Sequence, residues 1–113
     1  MISGIASVNP IANYVLTRRA EQDVENIAQY TLEKFGLQQA DNYIQGLHQS
    51  LNTLTEYPTM GSNQSHIKAK SRRYVYRSHS VYYLAQNDKI LILRILGPGE
   101  NPLTQFNTEH ENH

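Results

Sequence analysis

The chain has 113 residues, no Cys and a formal net charge of zero. That length suits one domain with one core and excludes a barrel of eight βα units or a repeat array. The missing Cys excludes disulfide frameworks, thiolate-held metals and thiol catalysis, and no apolar run reaches the roughly 20 residues of a membrane span.

Residues 1–13 show neither the helical nor the strand period and are expected to form a flexible N-terminal extension. They carry no basic residue, so they do not read as a secretory signal, and the cytoplasm is the expected location. A short strand is expected at Tyr14-Val15-Leu16. Thr17 then offers a side-chain oxygen to the free backbone donors of a helix start. Ala20, Val24, Ile27, Ala28, Thr31 and Phe35 make one apolar stripe at helical spacing. Glu21, Asp23 and Glu25 fall in the early turns. There they read as a solvated face that complements the helix dipole.

Gly36 stops this helix, because it takes positive φ without strain. Leu37, Ala40, Ile44, Leu47, Leu51 and Leu54 then recur at steps of three and four, and Pro58 ends the pattern. Two helices joined so closely form an antiparallel αα-hairpin. Thr59 to Ser65 reads as a loop.

From Arg72 the period changes to two. Arg73 to Arg77, Val81 to Ala85 and Ile90 to Leu96 are expected as three strands, with Asn87-Asp88 as a hairpin turn. Residues 14–97 thus form an α+β domain: an N-terminal strand, a helical hairpin and a three-stranded antiparallel meander. Residues 98–113 read as a polar C-terminal tail in which only Leu103 and Phe106 are placed to fold back.

The zero net charge hides a segregation. Residues 21–57 carry −5 and residues 58–94 carry +6. A one-sided basic segment points to an anionic partner, whereas a solvated sheet face balancing acidic helices is the plainer alternative. Within the segment, Arg73, Val75 and Arg77 are expected on one strand face, with Lys68 and Lys70 preceding them. Bases and tyrosines together are suited to holding RNA by phosphate pairing and stacking, or to docking on an acidic protein. Arg94 interrupts an apolar strand and wants a partner there.

Other chemistry is poorly supported. Ser78-His79-Ser80 sets hydroxyls beside an imidazole, but neighbours on a strand point to opposite faces. The five His residues show no ligand pair at helical spacing, so neither a metal nor another cofactor is expected. No Gly-rich loop joins a strand to a helix as a nucleotide cradle.

The ordered set of residues resembles the ParE branch of the RelE/ParE toxins of bacterial type II toxin–antitoxin systems. It comprises Ala20-x-x-Asp23-Val24-x-x-Ile27-x-x-Tyr30-Thr31, Phe35-Gly36, Gln39-Ala40, Tyr43, Leu47, Leu54 and Pro58-x-x-Gly61. It continues through Arg72-Arg73, His79-x-Val81-x-Tyr83 and Ile90-x-Ile92-x-Arg94-Ile95-Leu96. The resemblance implies neutralisation by a cognate ParD-like antitoxin and action on DNA gyrase, a protein target that needs no catalytic group. Arg72, Arg73, Arg77 and Arg94 are then the expected target-binding residues. An alternative is a RelE-like endoribonuclease that cuts ribosome-bound message, with Lys68, Lys70, Arg72, Arg77, His79 and Arg94 in the catalytic set. A further alternative is a chain that lost toxicity and remains an antitoxin-binding partner. Members of the ParE branch often carry a His after the Arg-Ile-Leu stretch; here that position is Gly97.

Overall fold

The computed structural model describes residues 13–111, so the extension expected over 1–13 lies, but for Asn13, outside the described residues. The elements run β1 (Tyr14–Leu16), α1 (Arg18–Phe35), α2 (Leu37–Glu56), β2 (Ser62–Asn63), β3 (Arg72–Tyr76), β4 (His79–Ala85), β5 (Ile90–Leu96) and α3 (Pro102–Glu111). One five-stranded sheet has the order β1-β5-β4-β3-β2. β1 joins β5 in parallel, and the other pairs are antiparallel. The α+β plan is the expected one.

Thr17 caps α1: its hydroxyl accepts the Ala20 N–H at 3.0 Å and donates to the Leu93 carbonyl at 2.9 Å. The same residue therefore starts the helix and pins it to β5. Gly36 separates the helices with φ 93°, and its N–H closes on the Leu32 carbonyl. The hairpin lies on one face of the sheet. Leu47, Leu51 and Leu54 of α2 meet Val81, Tyr83, Ile92 and Ile95, all within 2% exposure. Gly46 lets the Tyr76 ring lie against α2, where its hydroxyl donates to the Tyr43 carbonyl at 2.8 Å. Any side chain at 46 would collide with that phenol.

Four features differ from expectation. Phe35 and Leu37, placed in the apolar stripes, are 61% and 67% exposed on either side of Gly36, at the tip where the two helices join. The loop after Pro58 holds the short edge strand β2. Arg77 leaves the strand: with Ser78 it forms a two-residue turn, at φ 52°. The segment read as a tail carries α3. Asn101 caps it, accepting the Leu103 N–H at 2.9 Å, and Pro102 takes the first helical position, where no N–H is needed. α3 covers the outer sheet face with Phe106, edge-on to Tyr82 at 5.6 Å and packed with Leu93 and Leu96. Among the described residues, no helix is long and apolar enough to cross a membrane.

Candidate functional site

The structure distributes the basic residues over different tasks. Arg72 faces the helix side and braces the loop after α2, donating from Nε to the Gly61 carbonyl at 2.9 Å and from Nη2 to the Thr59 carbonyl at 3.1 Å. Tyr83 supports the same loop from below. Its hydroxyl donates to the Pro58 carbonyl at 2.8 Å and accepts the Gly61 N–H at 2.9 Å. Burial pushes the Tyr83 phenol above its ordinary pKa, against the opposing pull of the Gly61 N–H and Arg72.

Arg94 is buried. Its guanidinium donates from Nε to Asp23 Oδ2 at 2.8 Å and from Nη2 to Oδ1 at 3.0 Å, a bidentate pair. Nη1 reaches Gln105 of α3 at 3.2 Å. Asp23 also accepts the Ile95 N–H at 2.8 Å. Register pairing of β1 with β5 stops at Ile92, so this carboxylate serves the strand edge beyond β1. The expectation of a solvated Asp23 is therefore corrected: the residue is 8% exposed and belongs to the buried row Ala20, Asp23, Ile27, Thr31. An acid on an apolar stripe and a base in an apolar strand were the two signals, and they name each other as partners. Arg94 is thus a structural tie between α1, β5 and α3.

Arg73 and Arg77 present free charge. Arg73 lies on the outer face with Tyr82 opposite it, and its Nε donates to Ser80 Oγ at 2.9 Å. Arg77 rests over the Tyr76 ring, 5.7 Å from its centroid. Lys68 and Lys70 are exposed in the loop before β3, and Lys70 adopts φ 66°.

His79 sits at the other end of β3, on the helix-facing side. Its Nδ1 shares a 2.6 Å hydrogen bond with the Tyr43 hydroxyl and lies 3.5 Å from Ser78 Oγ. The Tyr43 ring meets both His79 and Tyr76 edge-on, at 5.6 and 5.0 Å. Nε2 points toward Gly97, whose N–H is held by Glu100 Oε1 at 2.8 Å. Ser78 does reach the imidazole, contrary to the alternation argument, because it belongs to the turn and not to the strand. The set proposed for RNA cleavage is not assembled here: Lys68 and Lys70 flank the opposite end of β3, and Arg72 and Arg94 are engaged elsewhere. Tyr43 and Glu100 are the neighbours that sequence reasoning missed. Among the described residues no three His, Asp or Glu side chains form a metal-binding group.

Burial lowers the His79 pKa below its ordinary value, with Glu100 and Asp23 opposing the shift. The unfolded chain then takes up this proton first, so stability falls as pH drops through the imidazole range near about 6.5. His79→Gln is expected to flatten that fall. Unfolding midpoints at pH 7 and pH 5.5 check it, and equal drops in variant and parent would exclude His79 as the cause.

A separate groove runs between α1 and α2. It is lined by Ala28, Leu32, Leu37, Ala40 and Ile44, with Glu25 and Asp41 among its polar residues. Leu32 in its wall is 41% exposed.

Comparison with known proteins agrees with this architecture. The family model described as "ParE toxin of type II toxin-antitoxin system, parDE" matches residues 14–102. Toxin ParE1 of Caulobacter vibrioides is 32% identical over 88 residues, spanning 78% of this chain and 91% of that protein. A solved structure titled "Chromosomal ParDE TA system from P. aeruginosa" superposes with a TM-score of 0.65 over 75% of this chain and 94% of its own, at 20% identity. At that identity the likeness concerns the fold.

Proposed function

Because this chain belongs to the ParE toxin family of type II toxin–antitoxin systems, we propose that it inhibits DNA gyrase in the cytoplasm and is neutralised by a cognate ParD-like antitoxin. The observation that carries this reading is the family match across β1 to the start of α3, the whole of the sheet and helical hairpin. The chemistry agrees with it. A toxin that acts by binding a protein needs presented charge and no proton relay, and Arg73 and Arg77 present charge.

The antitoxin requires an apolar surface to fold against. The groove between α1 and α2, lined by Leu32 and Leu37 and with the exposed Phe35 near it in sequence, supplies one. A disordered antitoxin segment ordering there accounts for neutralisation. Induced expression with and without the product of the neighbouring gene tests the reading. The expected result is growth arrest with a DNA-damage response while translation continues, reversed by the neighbouring product. Charge reversal at Arg73 or Arg77 is expected to weaken the arrest, since it removes steering and pairing at an interface. Translation arrest without DNA damage would favour the ribonuclease reading instead.

A further inference from the structure

The acids of the helical layer have two different fates. Asp23 is buried against Arg94, whereas Glu21, Glu25 and Asp41 are exposed. Among the described residues none of these three is joined to a Lys or Arg by a salt bridge. All three line the cleft between the helices. The groove described above has Glu25 of α1 and Asp41 of α2 among its polar residues. A second stretch shares Glu25 and runs past Val24, Glu21 and His48 to Leu16 of β1. No Lys or Arg lines either stretch. Lys34, the one Lys or Arg between Ala20 and Glu56, stands instead over the Tyr30 ring, 5.9 Å from its centroid. The cleft thus combines apolar walls with carboxylates from both helices.

We propose, resting on the antitoxin reading above, that the segment seated in this cleft is a short basic amphipathic helix. Its apolar face enters the groove, and Lys or Arg side chains flanking that face meet Glu21, Glu25 and Asp41. Three observations narrow the occupant to this chemistry. The first is the nature of the walls. They are α1 and α2, whose backbone groups are hydrogen-bonded within the helices. An extended segment would find no backbone partners there, and its N–H and C=O groups would lose water without gaining bonds. A helix bonds its own backbone and presents one apolar stripe, which suits a groove. The second is size. Ala28 and Ala40 place small side chains in the groove, and these let a third helix approach closely. Glu21 to Leu32 covers about 16 Å of α1, which matches about eleven residues, or three turns, of a docked helix. The third is sign. An acid brought against Glu25 or Asp41 would be repelled, whereas the stems of Lys and Arg cover apolar surface while their charged ends reach the rim.

Association and dissociation rates of the neighbouring gene's product with the full chain, measured at several salt concentrations, test the proposal. Glu25→Lys with Asp41→Lys is expected to slow association at least about tenfold and to remove most of its salt dependence. Both positions are exposed on helices, where substitution is well tolerated. Glu56→Lys with Asp88→Lys makes the same change in net charge at exposed positions outside the cleft, and is expected to slow association by no more than about twofold. Leu32→Asp is expected to speed dissociation at least about tenfold, because it replaces an apolar wall with a charge. Unfolding midpoints establish that each variant is folded. Circular dichroism is expected to show helix gained on mixing the two proteins. The proposal alone is overturned if the product binds but the Glu25 and Asp41 reversal acts no more strongly than the control pair, or speeds association, or if mixing brings no gain of helix. Failure of the product to bind the unaltered chain overturns the antitoxin reading itself, and the proposal with it.

Discussion

Asp23→Ala is expected to destabilise the protein by about 3–5 kcal/mol. The carboxylate holds a guanidinium that is 4% exposed, and it also accepts the Ile95 N–H. Removing it costs the bidentate pair and leaves a buried charge without its carboxylate. It further strips a backbone donor of its acceptor at the β5 edge, worth about 1–3 kcal/mol by itself. Arg94→Met removes the base while the Ile95 bond persists, so its cost is expected to be smaller. Asp23→Asn keeps one oxygen for Arg94 Nε and the Ile95 N–H, which share Oδ2, but sets an amide NH2 against Nη2; it should still be the mildest of the three. Urea unfolding midpoints give the order directly. A loss below about 1 kcal/mol for Asp23→Ala would show that Arg94 escapes to solvent and that the pair holds nothing together. Against a total stability of roughly 5–15 kcal/mol, the expected loss is a large share.

Leu47→Ala and Leu51→Ala are each expected to cost about 2–5 kcal/mol. Both side chains are fully buried between α2 and the sheet, so truncation leaves a cavity lined by Val81, Tyr83 and Ile92. They lie one turn apart and share neighbours, so the double variant should fall short of the sum. Phe35→Ala and Leu37→Ala provide the contrast. These side chains are mostly exposed, and their truncation is expected to change stability by no more than about 0.5 kcal/mol. Similar losses at all four positions would mean that the hairpin is seated differently on the sheet.

The helical hairpin was readable because its cause is local. Alternating steps of three and four from Ala40 to Leu54 demand one buried face, and Gly36 and Pro58 bound it. The three long strands were readable for the same reason. β1 was legible as a strand, but its parallel partner was not, because pairing with β5 spans more than seventy residues and leaves no local trace. α3 leaves a weak trace in the sequence: Asn101-Pro102 carries a capping signal, but only Phe106 anchors a mostly polar stretch. The site was less legible than the fold. Charge reads as solvated until a partner is seen, so the sequence alone leaves Asp23 on the surface and Arg94 available to the target. Tyr43 and His79 stand 36 residues apart and meet only because the Tyr76 ring brings α2 down on the turn between β3 and β4.

Gyrase supercoiling in the presence of the purified chain separates gyrase inhibition from ribonuclease action. Supercoiling is expected to be lost at micromolar chain, on the order of typical protein-target affinities, and to recover on adding the antitoxin in equal amount. Supercoiling left intact at that concentration, together with cleavage of ribosome-bound message by the same preparation, would contradict inhibition of gyrase.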